Sequence, residues 1–174
     1  MQPSPTTRQQ FLELVEAHQG ILHRISSVYA RNIEDRQDLF QEMVLQLWRS
    51  YASFRGRSSF TTWMYRVALN TALLERRRAA RRPDLTGGGE AGLHRIPVET
   101  PSPPPDVELL RACIQELPSL DRAILLLHLE ERSYDEISAI TGLSRSNVSV
   151  RLVRGKERLR HALEAKGLRK EEFL

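Results

Sequence analysis

A segment rich in proline and glycine, residues 83–106, limits what this chain can fold into. It contains GGG at 87–89 and SPPP at 102–105, and it has few large apolar side chains. A segment of this composition cannot bury enough apolar surface to order itself. We therefore predict a flexible linker over 83–106, which separates a first domain over 8–82 from a second domain over 107–165 in the 174-residue chain.

Apolar side chains recur at helical spacing on both sides of this linker. Leu39, Met43 and Leu47 form one stripe of a helix predicted over 35–51. Before it, the apolar residues of 11–29 fit two helices that break near Gly20. The same spacing returns after the linker, and strand-like alternation is almost absent. We therefore predict an all-α fold of two small helical domains.

Basic residues are concentrated in two segments, although the net charge of the chain is only +4. Residues 54–82 carry eight arginines and one acid, and residues 145–160 carry six basic residues and one acid. The rest of the chain has a net charge of −8. This pattern predicts two contacts with a polyanion and an acidic surface for another partner. The alternative is that the arginine-rich helix faces are simply solvated.

Several classes of function have no signature in the sequence. The single cysteine, Cys113, excludes a disulfide framework and a CxxC metal site. The five histidines are scattered and lack the spacing of metal ligands. GGG at 87–89 lacks the Lys-Ser/Thr of a phosphate-binding loop. No apolar run approaches the roughly 18 residues of a membrane span. We predict a cytoplasmic protein with no catalysis, cofactor, metal site or membrane insertion.

The most specific local pattern spans residues 133–160. It predicts two helices joined by a tight turn at Gly142, with Ser144 as the N-cap of the second helix and Val148 packed inward. The second helix is basic. This is the layout of a helix-turn-helix, whose second helix enters the major groove of DNA. The alternative is an ordinary helical hairpin with a solvated basic face.

Longer stretches resemble a known family. Residues 38–51, DLFQEMVLQLWRSY, and 53–82, SFRGRSSFTTWMYRVALNTALLERRRAARR, resemble region 2 of a bacterial sigma factor of the small extracytoplasmic-function (ECF) type. Residues 116–163, ELPSLDRAILLLHLEERSYDEISAITGLSRSNVSVRLVRGKERLRHAL, resemble region 4 of the same family. The two regions stand in the family's order. The resemblance implies a protein that binds core RNA polymerase, directs it to promoters through −10 and −35 contacts, and helps to open the duplex.

The resemblance also implies where core RNA polymerase binds. One helix of region 2 is expected to contact the clamp helices of the beta-prime subunit, and region 4 is expected to contact the beta flap. A partly acidic, partly apolar helix face suits a protein partner. The expected contact residues are Asp38, Gln41, Glu42, Leu45 and Trp48. The alternative for Leu45 and Trp48 is that they belong to the core of the domain.

Contacts with the −10 element are expected from region 2. The resemblance implies a loop that captures an unstacked base, an asparagine that reads a base edge, and arginines that follow the DNA backbone. These residues are Phe54, Arg55, Arg57, Phe60, Trp63, Asn70, Arg76, Arg77 and Arg78. The chain departs from the family at Leu69, where a basic residue is common. Phe60 and Trp63 have the alternative of belonging to the core.

Contacts with the −35 element are expected from the second helix of the helix-turn-helix. Arginine can bind guanine, asparagine can bind adenine, and basic side chains also neutralise phosphates. The expected residues are Ser144, Arg145, Asn147, Ser149, Val150, Arg151, Val153, Arg154 and Lys156. Ser149 and Val150 stand where the family commonly has Lys or Arg and then Ser. This departure suggests that Arg145, Arg151 and Arg154 make more of the contact.

A stand-alone helix-turn-helix transcriptional regulator is the alternative to a sigma factor. A regulator of that kind needs a ligand-binding or dimerisation domain, whereas the first domain here carries its own basic segment. The resemblance further implies an anti-sigma factor as a partner, because members of this class are commonly held inactive by one.

Overall fold

Seven helices make up the computed structural model, which describes residues 5–81 and 104–167. The described residues contain no strand, and the prediction of an all-α fold with two helical domains is confirmed. Most of the predicted linker lies outside the described residues, but Pro105 and Asp106 already belong to a helix. The helices are α1 (Pro5–Tyr29), α2 (Ile33–Tyr51), α3 (Phe60–Arg81), α4 (Pro105–Glu116), α5 (Ser119–Leu129), α6 (Tyr134–Thr141) and α7 (Arg145–Ala165).

The first domain is formed by α1, α2 and α3. The predicted break near Gly20 is wrong, because α1 runs without interruption from Pro5 to Tyr29. Leu22 and Ile25, just after the glycine, are fully buried against the rest of the domain. Burying two such side chains gains about 3–6 kcal/mol, which exceeds the cost of about 1 kcal/mol for a glycine inside a helix.

The second domain contains the predicted helix-turn-helix. Ser133 begins α6 with a capping box, in which Glu136 accepts a hydrogen bond from the backbone N–H of Ser133. Gly142 ends α6 with φ 75, a left-handed conformation that favours glycine. Ser144 then caps α7, and Val148 is fully buried. The predictions for Gly142, Ser144 and Val148 are confirmed.

The two domains pack directly against each other through the C-terminal end of α1. Arg122 of α5 is fully buried and donates a hydrogen bond of 3.1 Å to the carbonyl of Val28. Gln115 donates to the carbonyls of Ser27 and Ala30, each at 2.9 Å. In the opposite direction, the Tyr29 hydroxyl donates to the Ser119 carbonyl at 2.6 Å. The bonds to Ser27, Val28 and Ala30 satisfy carbonyls that the C-terminal end of α1 leaves without partners.

A second contact between the domains joins α3 to α5 and α6. Arg66 of α3 donates to the carbonyl of Ala139 in α6. The guanidinium of Arg132 lies over the ring of Tyr65, 5.2 Å from its centroid. Glu130, just after α5, pairs with Arg24 of α1. The buried apolar side chains of the two domains form one contiguous cluster, so the domains share a single core.

Candidate nucleic-acid interface

Helix α7 has a buried face and an exposed face that differ in chemistry. Val148, Leu152 and Gly155 are buried against the second domain. The exposed side therefore points away from the domain, as a helix that enters a groove must do. The exposed predicted DNA contacts on α7 and its cap are Ser144, Arg145, Asn147, Val150, Val153, Arg154 and Lys156, whereas Ser149 and Arg151 are half-buried. Sequence reasoning therefore places seven of its nine residues on exposed surface.

Two of the predicted arginines are held by aspartates. Arg145 pairs with Asp135 at 3.2 Å, and both side chains are exposed. Arg151 pairs at 2.8 Å with Asp121, whose side chain is only 4% exposed. Arg158 pairs with the other oxygen of Asp121 at 2.5 Å. Asp121 therefore fixes the flank of α7, a role that the sequence indicated only by an acid placed just before the apolar run of α5.

The predicted −10 residues include an aromatic cluster at the start of α3. The Phe54 ring lies 5.2 Å from the Trp63 ring, and Phe60 lies 5.5 Å from Trp63 and 5.8 Å from Phe54, all between ring centroids. All three rings are half-buried, so they are neither wholly core nor wholly free. Ser59 caps α3 beside them, since its hydroxyl accepts from the backbone N–H of Thr62 at 3.1 Å. Arg55 and Arg57 are exposed in the preceding loop.

The rest of the predicted −10 surface follows along α3. Asn70 is exposed and lies two turns after Trp63, on the same side of the helix. Leu69, where the family commonly has a basic residue, is buried, so a charge there would have no access to solvent. Arg77 and Arg78 are exposed near the end of α3, and Arg76 is half-buried. These side chains form a basic end that continues from the aromatic cluster.

The predicted polymerase contacts on α2 line two neighbouring depressions. Gln41, Leu45 and Trp48 line an open groove of about 670 Å³ between α1 and α2. Asp38 and Glu42 line a second depression of about 810 Å³, which also contains Arg76 and Arg78. Trp48 is partly a core residue and partly a surface residue. Its half-buried ring lies 4.9 Å from the buried ring of Phe11, between ring centroids, and it also lines the groove.

Sequence reasoning missed the α1 side of that groove. Phe11, Leu12 and Arg8 line it opposite α2. Leu12 is exposed on an amphipathic helix, beside the buried Phe11 and Val15. A leucine outside the buried stripe was the sequence signal that could have indicated this side of the groove. The groove is therefore built by two helices.

Both predicted regions are matched by family models. Residues 14–82 match the model described as sigma-70 region 2, and residues 108–159 match the model described as sigma-70, region 4. The matched ranges fall within the two predicted domains. No helix among the described residues has the length and apolar character needed to cross a membrane, and no cluster of metal-binding side chains occurs among them.

Curated relatives and solved structures agree with these matches. The chain is 34% identical to the ECF RNA polymerase sigma-E factor of Haemophilus influenzae, over 83% of this chain and 80% of that protein. It is 31% identical to the RNA polymerase sigma-H factor of Pseudomonas aeruginosa, over 82% of this chain and 81% of that protein. It is also 31% identical to the ECF sigma factor SigE of Mycolicibacterium smegmatis, over 87% of this chain but only 60% of that protein.

The fold is similar to that of two proteins solved in complexes. CnrH, in complex with the cytosolic domain of CnrY, gives a TM-score of 0.66 at 21% identity, over 91% of this chain and 90% of that one. The sigma factor RpoE of Bartonella quintana, in complex with the anti-sigma factor NepR, gives a TM-score of 0.64 at 19% identity, over 92% of this chain and 98% of that one. With two family regions in order and relatives above 30% identity along most of its length, the chain belongs to the sigma-70 family and is a sigma factor of the ECF type.

Proposed function

We propose that this protein binds core RNA polymerase, directs it to promoters through two separate DNA contacts, and assists opening of the duplex. The observation that carries the proposal is the presence, in one chain, of an exposed basic helix in a helix-turn-helix and an aromatic cluster followed by a basic helix end. Family membership supports the prediction that the chain is not an enzyme. The cytoplasm, where core polymerase works, is the proposed location.

Core polymerase binds, in this proposal, at the groove between α1 and α2. Leu45 and Leu12 are exposed there, while Gln41 offers hydrogen bonds at the rim. Clamp helices of the beta-prime subunit fit this shape, because an amphipathic helix can lay its apolar face into an apolar groove. We assign the acidic Asp38 and Glu42 to the edge of the same contact, and the beta flap to the second domain.

Variants at exposed leucines test this contact. We expect Leu45→Glu to weaken binding of core polymerase at least tenfold, because a charge enters an apolar contact. Leu74→Glu is the matched control, since Leu74 is similarly exposed on α3 of the same domain and lines neither depression beside α2. Binding is measured by titrating core polymerase with fluorescently labelled protein. Equal affinities for the two variants would place the contact elsewhere.

The aromatic cluster and Asn70 are proposed to hold the −10 element. Extruding a base costs a few kcal/mol, which stacking on aromatic rings and hydrogen bonds to a base edge can offset. Phe54, Phe60 and Trp63 supply the rings, and Asn70 supplies an exposed amide on the same side of α3. Arg55, Arg57, Arg76, Arg77 and Arg78 surround them and are proposed to contact phosphates.

The −35 element is proposed to bind α7 in its major groove. Asn147 and Arg154 are exposed on α7 and can reach base edges, while Arg145 and Lys156 can reach phosphates. Ser144 caps the helix, whose N-terminal end favours a phosphate. Arg151 is assigned to phosphate contact from its flank, where Asp121 fixes it.

Reconstituted transcription separates this proposal from a stand-alone regulator. The purified chain is added to core polymerase and genomic fragments, and run-off transcripts are sequenced. A sigma factor gives transcripts with a common upstream sequence, and the chain alone binds duplex DNA weakly. Tight binding to duplex DNA without polymerase, together with no run-off transcript, would overturn the sigma function in favour of the regulator.

An anti-sigma factor is proposed as a further partner. The similar structure of the sigma factor RpoE contains the anti-sigma factor NepR, and that of CnrH contains the cytosolic domain of CnrY. A two-hybrid screen with the full chain tests for such a partner in the source bacterium. Recovery of polymerase subunits alone would contradict it.

A further inference from the structure

Two valines occupy the middle of the exposed face of α7. Val150 is 49% exposed and Val153 is 58% exposed. They are three residues apart, so they lie on the same side of the helix, opposite the buried Val148 and Leu152. They are the large apolar side chains that the described part of α7 leaves exposed.

The surroundings of the two valines suit a polyanion better than an apolar protein surface. Arg154 and Lys156 are exposed beside them, and Glu157 and Arg160 are exposed on the next turn, so basic side chains outnumber the single acid. A protein partner for an apolar pair would bring these charges out of water, which is costly. The negative DNA backbone on each side of a groove neutralises them instead.

The arginines nearest the start of α7 do not lie in the middle of its exposed face. Arg145 is drawn to Asp135 on one flank, and Arg151 is drawn to Asp121 on the other. The two valines therefore lie between these arginine side chains, in the middle of the exposed face of α7.

The major groove offers one apolar group to such side chains. Thymine carries a 5-methyl group there, whereas guanine, adenine and cytosine present hydrogen-bond donors and acceptors at their edges. A valine in a helix keeps essentially one side-chain rotamer, so its methyl groups are already in place when DNA arrives. Burying one methyl group against them strengthens binding about fourfold.

We propose that Val150 and Val153 read the 5-methyl groups of thymines in the upstream promoter element, and that they are specificity-determining residues of this sigma factor. The inference rests on the proposed function of α7 as the −35 reader. The pair makes thymine the preferred base at one or two positions of the element.

The experiment uses holoenzyme reconstituted from the full chain and core polymerase. Promoter fragments with a randomised upstream element are selected by binding and sequenced. The best fragment is then prepared with deoxyuridine in place of each thymine of that element, which removes only the methyl groups. We expect thymine to be enriched at one or two positions, and deoxyuridine there to weaken binding about threefold to fivefold.

The double variant Val150→Ala, Val153→Ala is expected to bind thymine and deoxyuridine fragments equally and to lose the thymine enrichment. Alanine is a good helix former, and a melting curve checks that α7 remains folded. The matched control is Val107→Ala, because Val107 is equally exposed, at 49%, on α4. This control keeps the response to deoxyuridine.

Two different results overturn the inference. If the upstream sequence matters but the wild-type holoenzyme binds thymine and deoxyuridine fragments equally, the valines do not read methyl groups and the −35 function of α7 stands. If binding is independent of the upstream sequence altogether, both the −35 function and the inference fail.

Discussion

At the scale of single residues, Asp121 holds two arginines of α7 at once. Its carboxylate is almost completely buried and accepts from Arg151 and Arg158, at 2.8 and 2.5 Å. A buried carboxylate is tolerated only when it is paired. The two arginines remain about half exposed, so water weakens each pair. Asp121 therefore joins α5 to α7 and sets where two guanidinium groups lie.

Asp121→Asn tests the importance of this buried charge. The substitution keeps the size of the side chain and removes the charge, and we expect the free energy of unfolding to fall by about 1–3 kcal/mol. Urea denaturation measures it. Asp135→Asn is the control, because its pair with Arg145 is exposed at both ends, and a change within about 0.5 kcal/mol is expected. Similar losses for both variants would contradict the role of burial.

At the scale of elements, helix ends were predictable and helix continuity was not. Gly142 and Ser144 act within a few residues of chain, so their patterns predicted the turn and the cap correctly. Gly20 carries a local signal for a break, but Leu22 and Ile25 are buried on the same helix as Phe11 and Val15. That packing depends on α2 and α3, so the residues next to Gly20 in the sequence do not reveal it.

The two glycines give opposite results when replaced by alanine. Gly142→Ala forces a side chain into φ 75 and should lower the free energy of unfolding by about 1–2 kcal/mol. Gly20→Ala should raise it by about 0.5–1 kcal/mol, since the added methyl meets only the flexible end of Arg24 at 3.2 Å. Chemical denaturation of both variants measures the difference. A loss of stability in Gly20→Ala would show that Arg24 cannot move.

The capping box of α6 makes this helix sensitive to acid. Hydrogen bonds from the backbone N–H and the hydroxyl of Ser133, followed by one from Arg132, lower the pKa of Glu136. Because the pKa of Glu136 is lower in the folded state, its ionised carboxylate stabilises the fold at pH values above the ordinary glutamate pKa. This stabilisation is lost as the pH falls through the pKa that Glu136 has in the folded state. Stability measured from pH 6 to pH 3 should therefore fall less steeply in Ser133→Ala. An unchanged slope would contradict the contribution of the Ser133 hydroxyl to this pKa shift, because the backbone N–H, which is its largest cause, remains in the variant.

At the scale of the whole molecule, the contact between the domains conflicts with simultaneous binding to both promoter elements. Their names place the two elements about 25 base pairs apart, which is roughly 85 Å along B-form DNA. A compact chain of this length has a radius of gyration of about 16 Å. The domains must therefore separate when holoenzyme binds a promoter. No sequence pattern predicted this contact, because it joins side chains to backbone carbonyls almost a hundred residues away.

The variant Arg66→Ala, Gln115→Ala tests the domain contact. Each side chain hydrogen-bonds across the interface, to Ala139 or to Ser27 and Ala30. Small-angle X-ray scattering should give a larger radius of gyration for the variant, because fewer bonds hold the domains together. Gln9→Ala is the control, since Gln9 bonds only within α1, to Glu13 at 3.0 Å. Identical scattering of variant and wild type would contradict the role of these bonds.

Most acceptors in this interface are main-chain carbonyls, of Ser27, Val28, Ala30, Ser119 and Ala139, whereas Glu130 accepts through its side-chain carboxylate. Every amino acid supplies the same carbonyl, so replacing an acceptor residue leaves the hydrogen bond available. Amino-acid substitutions can therefore change how readily the domains separate, and they do so mainly at the donor side chains. A genetic selection for hyperactive alleles should therefore return changes at Tyr29, Arg66 and Gln115, and few at the positions that they bind.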